Sequence, residues 1–164
     1  MVHVVMFAWG NPSRGDDAVG PWFADYVRDR DNDGLTLVED FQLQVEHLLD
    51  CQQGDLLLFV DACSDKGGDL HFEEVSPTGS VAHTSHALTP AELLGYYQRL
   101  FPKSPPPAFQ LSIPGADFEL GQQMSSSTKA RCLRGARLLE NLLRQPALAH
   151  WRQLARPQAE TCHA

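Results

Sequence analysis

Two adjacent carboxylates, Asp16 and Asp17, stand in a short stretch that also holds three glycines, Gly10, Gly15 and Gly20, and one cation, Arg14. Paired acids in a glycine-rich turn suit cation binding or proton transfer. Such turns also cradle phosphates, but two carboxylates would repel one, and neither common phosphate-loop pattern is present. An acid in a helix's first turn complements the helix dipole, which accounts for one of the pair and not for both. A third carboxylate, Asp61, ends the apolar run 56–60, and His86 precedes another helix start. Asp17, Asp61 and His86 form an oxygen, oxygen, nitrogen set of the kind that holds nickel or zinc with coordination positions left open. Each has an ordinary alternative. A strand-end Asp often caps a turn, a lone His is commonly a hydrogen-bonded surface residue, and His83 competes with His86. No dense ligand motif such as His-Glu-x-x-His occurs. Ser64 and Cys63 lack a nucleophile elbow, and the Asp61 charge disfavours a Cys63 thiolate, so Cys63 reads as structural.

These residues need elements to place them. Residues 2–9 are β-branched and aromatic and read as a strand; residues 21–30 have helical spacing, with Pro21 in the first turn. A second strand is expected over 35–41, then a helix over 42–50 presenting Val45, Leu48 and Leu49 on one face. The continuous apolar run 56–60 reads as a central strand buried on both sides. From 70 to 73 the period is two, as in a strand near an edge, and 81–86 is an extended approach to a helix. That helix opens on Thr89-Pro90-Ala91-Glu92, a capping box. A strand over 109–113 and a helix over 125–144, with Leu133, Ala136, Leu139, Leu142 and Leu143 on one face, complete the pattern. The alternation predicts an α/β fold: three layers, a mostly parallel twisted sheet of about five strands, helices on both faces. Right-handed crossovers would then bring residues 10–17 and 61–65 to one rim. Residues 1–145 form a single domain in this reading, and 146–164 a partly ordered tail.

The 164 residues are 43% hydrophobic, enough for one domain with a proper core. A net charge of −8 disfavours nucleic acid and anionic membranes as partners. The four cysteines are dispersed, which suggests reduced thiols in a cytoplasmic protein. The first residues do not read as a signal peptide, and no apolar run is long enough to span a bilayer. A monomer is expected.

Gly10-Asn11-Pro12-Ser13-Arg14-Gly15-Asp16-Asp17-Ala18-Val19-Gly20 resembles the signature Gly-Asn-x4-Asp-(Asp/Glu)-x2-Gly of hydrogenase maturation proteases. Val60-Asp61-Ala62 and Ser85-His86 are similar to that family's other two motifs, so the resemblance spans most of residues 2–145. It implies an endopeptidase that removes a C-terminal peptide from the precursor of a nickel–iron hydrogenase large subunit. In that family the nickel already sits in the precursor and serves as the recognition element. The resemblance implies that Asp17, Asp61 and His86 contact the metal, although many members carry Glu where Asp17 stands. Asp16 is the candidate for general acid/base work or for ordering the loop. After strand two many members have a Gly-Thr-x-Gly turn. This chain has Asp40-Phe41-Gln42-Leu43-Gln44, similar to the branch serving soluble NAD-reducing hydrogenases, and Gln42 and Gln44 are candidates to bind substrate backbone. Two other classes compete: a non-enzymatic, nickel-dependent chaperone on the same fold, and a nucleotide-binding module.

Overall fold

The computed structural model describes residues 1–30, 32–64, 68–79 and 88–155. Strand β1 (Val4–Trp9) is buried along its whole length, as its apolar sequence requires. A short 3-10 turn, Gly15–Ala18, leads into helix α1 (Val19–Arg28). Then follow β2 (Leu35–Asp40), a second 3-10 turn (Val45–His47), α2 (Leu48–Cys51), β3 (Leu56–Cys63), β4 (His71–Val75), α3 (Pro90–Leu100), β5 (Ala108–Pro114), α4 (Ser126–Arg144) and α5 (Leu148–Leu154).

The five strands make one sheet in the order β2-β1-β3-β5-β4. All neighbours are parallel except β4, which runs antiparallel to β5 at one edge. Alternate side chains of the buried strands feed two cores. Val4, Met6 and Ala8 meet α1, α4 and Trp151 of α5, while Val5, Phe7 and Trp9 meet α2 and α3. The predicted three-layer α/β architecture is therefore present. Because β2 lies on one side of β1 and β3 on the other, the chain reverses its direction of winding between β1 and β3. The crevice at the carboxyl ends of two such strands is the usual ligand position of open α/β sheets.

Several expectations need correction. The helix expected over 42–50 is a 3-10 turn followed by one α-turn, and it buries Leu43, Leu48 and Cys51 while Val45 and Leu49 face solvent. The chain must turn sharply beneath α3 there, and Leu43 is the residue that reaches the core. On α4 the buried face runs through Cys132, Ala136, Leu139 and Leu142, and Leu133 is exposed. The ordered part of the expected tail is residues 148–154. They form α5, whose Trp151 is fully buried and donates its indole N–H to the Leu142 carbonyl at 3.0 Å. One aromatic side chain is enough to dock so short a helix, a signal that periodicity over a few residues does not carry. Cys51 and Cys132 are free and buried, and burial pushes each thiol up to about 12. Cys63, against the reading of four reduced thiols, is disulfide-bonded. Among the described residues no helix is long and apolar enough to cross a membrane.

Candidate active site

The loop after β1 is shaped by close backbone approaches. Gly10 has φ +148°, and a Cβ there would lie 2.1 Å from the Asp17 carbonyl oxygen. At Gly20 a Cβ would lie 2.0 Å from the Trp9 carbonyl oxygen, so only glycine lets α1 start hard against the end of β1. The loop then folds on itself. Asn11 N–H donates to Asp17 Oδ2 at 2.7 Å, and Asp17 N–H donates to the Arg14 carbonyl at 3.0 Å. Asp17 is partly exposed on this loop.

Asp16, its neighbour, turns the other way and is fully buried. Its Oδ2 accepts the N–H groups of Ala116 (2.8 Å) and Asp117 (3.2 Å), and its Oδ1 accepts the N–H of Ser125 (2.8 Å). The Ser125 hydroxyl adds a further bond at 3.0 Å. Burial alone would raise this carboxyl, but the bonds from Ala116, Ser125 and Asp117 outweigh it and hold the group below its ordinary value. Backbone bonds reinforce the junction: Gly15 N–H to the Gln122 carbonyl at 2.9 Å, Asp16 N–H to the Asp117 carbonyl at 2.7 Å and Gly121 N–H to the Ser13 carbonyl at 2.7 Å. Asp16 is thus a clip between the β1–α1 loop and the segment that enters α4. Of the two roles expected for it, ordering the loop is the one this geometry supplies.

Asp61 lies inside β3 rather than just beyond it, and is 9% exposed. Its Oδ1 accepts the Ala62 N–H at 2.8 Å, and the Trp9 side chain donates to the same carboxylate. Burial first, and the charge of nearby Asp17 second, push its carboxyl well above the ordinary value. The Asp17 charge thus acts on the Asp61 carboxyl at the β1–β3 crevice. Among the described residues no cation pairs with either one. His86 lies outside the described residues, as does its competitor His83. Among the described residues no three His, Cys, Asp or Glu side chains cluster as a metal site.

Gln42 is exposed, and Gln44 begins the 3-10 turn after β2 with its N–H bonded to His47 Nδ1 at 2.9 Å. His47 also contacts Asp40 Oδ2 through Nε2 at 3.2 Å. A cleft of about 320 Å³ opens beside this corner, lined by Gly10, Pro12, Pro21, Glu39, Asp40 and Phe41. Sequence reasoning gave no site role to Trp9, Ser125, Asp40 or His47. Asp40 was detectable as an acid at a strand's carboxyl end; the partnership of His47 depends on the unexpected turn and leaves no sequence signal.

The fold is that of the hydrogenase maturation proteases. No protein-family model matches the chain, and no curated protein matches it, but solved structures do. The NiFe hydrogenase maturation protease HycI from Thermococcus kodakarensis is 22% identical, with a TM-score of 0.67 over 88% of this chain and 94% of that one. The hydrogenase-maturating endopeptidase HybD from E. coli is 14% identical, with a TM-score of 0.69 over the same shares. The endopeptidase HycI from Escherichia coli is 16% identical, with a TM-score of 0.64 over 85% of this chain and 90% of that one.

Proposed function

We propose that this protein is a maturation endopeptidase that removes a C-terminal peptide from the nickel-loaded precursor of a nickel–iron hydrogenase large subunit, in the cytoplasm and as a monomer. The observation that carries the reading is the Asp17–Asp61 pair: a buried carboxyl raised by a second carboxylate near it at the ligand rim of the sheet. Two like charges so placed cost stability unless a cation comes between them. Oxygen donors from both, with the His86 imidazole as the third, fit a borderline divalent ion. The ion belongs to the substrate: nickel held in the precursor would be gripped by Asp17, Asp61 and His86, and only a loaded precursor would dock.

Asp16 contributes by fixing the loop that presents Asp17, since all its nearby donors come from this chain and leave it a poor proton carrier. Gln42 and Gln44, in the turn that follows Asp40, would meet the backbone of the segment being cut. The protein-fold likeness supports the general role, and the acidic rim supports the recognition of a cation.

Intact-mass analysis tests this. The purified protein is mixed with a nickel–iron hydrogenase large-subunit precursor from the same genome, prepared with and without nickel. Loss of a C-terminal peptide only from the nickel-loaded form is the expected result. Cleavage of both forms would remove the recognition role from Asp17, Asp61 and His86. Binding with no change of mass would favour a nickel-dependent chaperone.

A further inference from the structure

We propose that His47 is a positioning residue, a clamp that sets the Asp40–Gln44 segment for substrate binding; this rests on the protease reading above. The imidazole is buried, 7% exposed, and packs edge-on against the Phe7 ring with centroids 6.0 Å apart. Its two nitrogens are committed in opposite senses. Nδ1 accepts the Gln44 N–H at 2.9 Å, so the ring proton sits on Nε2, which lies 3.2 Å from Asp40 Oδ2. The other Asp40 oxygen accepts the Phe41 N–H at 2.7 Å. One ring thus bridges both ends of a five-residue turn, by a hydrogen bond at Gln44 and a close polar approach at Asp40.

What the turn touches gives the clamp its reach. The Asp40 carbonyl accepts the Gly10 N–H at 3.2 Å, which ties the turn to the loop that carries Asp17. The Leu43 carbonyl accepts the Leu88 N–H at 3.3 Å, which ties it to the chain two residues past His86. The Asp40 side chain is 35% exposed against 9% for His47, so the carboxylate reaches water at the cleft while the imidazole stays below it. A turn held at both ends, between the Gly10 loop and Leu88, can present the Asp40 carboxylate and the Gln44 side chain to an extended peptide with little ordering cost at binding. His47 touches no substrate in this arrangement; it acts through Asp40 and Gln44. Loss of the clamp therefore weakens ground-state and transition-state binding alike and leaves the bond-breaking step unchanged.

The test is steady-state cleavage of the nickel-loaded precursor by the wild type, His47→Ala and His47→Asn, with thermal unfolding alongside. Asn can offer an acceptor where Nδ1 stood and keeps the Gln44 bond, but cannot reach Asp40. The expected result is a KM raised about tenfold in His47→Ala and about threefold in His47→Asn, with kcat within about twofold of wild type in both. If His47→Ala does not fold, His47→Gln takes its place: its amide nitrogen can still reach Asp40 while a methylene stands where Nδ1 was, and the expected rise in KM is about threefold. A KM unchanged in folded variants, or a loss confined to kcat or to Tm, overturns the clamp. If the wild type binds the precursor without cutting it, the protease reading fails and the clamp is read from Kd: about tenfold weaker binding by His47→Ala supports it, and equal binding overturns it. A wild type that neither cuts nor binds overturns both.

Discussion

Asp16 and Asp61 are both buried carboxylates near the same rim, and they are opposites. Asp16 is surrounded by donors from its own chain and is held below its ordinary value. Asp61 has the Ala62 N–H and the Trp9 side chain, faces the Asp17 charge, and is pushed well up. A carboxylate whose partners are all internal is a structural fastener. One left near a like charge is, in the function proposed above, where the incoming cation would be received.

The largest effect should come from the incomplete side. Asp61→Ala and Asp17→Ala are each expected to cut precursor processing by at least about a hundredfold while the unfolding midpoint holds or rises. Processing at wild-type rate by both folded variants would end the assignment. On the other side, Asp16→Asn should cost about 2–4 kcal/mol of stability, because an amide cannot accept every bond the carboxylate takes and leaves buried N–H groups unmet. At a temperature where that variant is folded, processing should stay within about threefold of wild type; a hundredfold loss there would return proton transfer to Asp16.

The two groups should also separate by pH. The Asp61 carboxyl lies above its ordinary 3.8 in the folded protein, so the folded state holds that proton more tightly. Its contribution is most favourable below 3.8 and declines as pH rises from there towards the raised value. The Asp16 carboxyl is lowered, so its contribution is present above 3.8 and is lost as pH falls through the lowered value. Chemical unfolding across pH should therefore find Asp61→Asn more stable than wild type at neutral pH, with the advantage vanishing in acid. The smallest effect is expected from Ser125→Ala, which removes one hydroxyl from the Asp16 clip and the side-chain cap of α4, at about 1 kcal/mol.

Much of the rim was legible in the sequence because glycine spacing and strand ends are local signals. The capping box at Thr89 is present with both of its bonds, Glu92 N–H to Thr89 Oγ1 at 3.2 Å and Thr89 N–H to Glu92 Oε1 at 3.0 Å. The two readings open to Asp16 could be separated only by donors from Ala116 and Ser125, about a hundred residues away, which no spacing reveals. The turn at 42–50 was misjudged because Val45 and Leu49 are apolar yet exposed, and a helical period counts them as core. Trp151 was missed for the converse reason: its burial depends on a single side chain finding the gap beside Phe109 and Phe72.

The Asp16 clip also sets an order of events during synthesis. Asp16 leaves the ribosome with β1, but its donors at Ala116 and Ser125 follow 100 and 109 residues later. At typical elongation rates that is roughly 5–20 s. Through that interval the loop bearing Asp17 has its glycines and its turn but no fastener, so a nascent chain cannot hold the acidic rim in its working shape. In the function proposed above, cation binding at this rim would begin only once β5 and the start of α4 are in place, which would tie the onset of activity to completion of the domain.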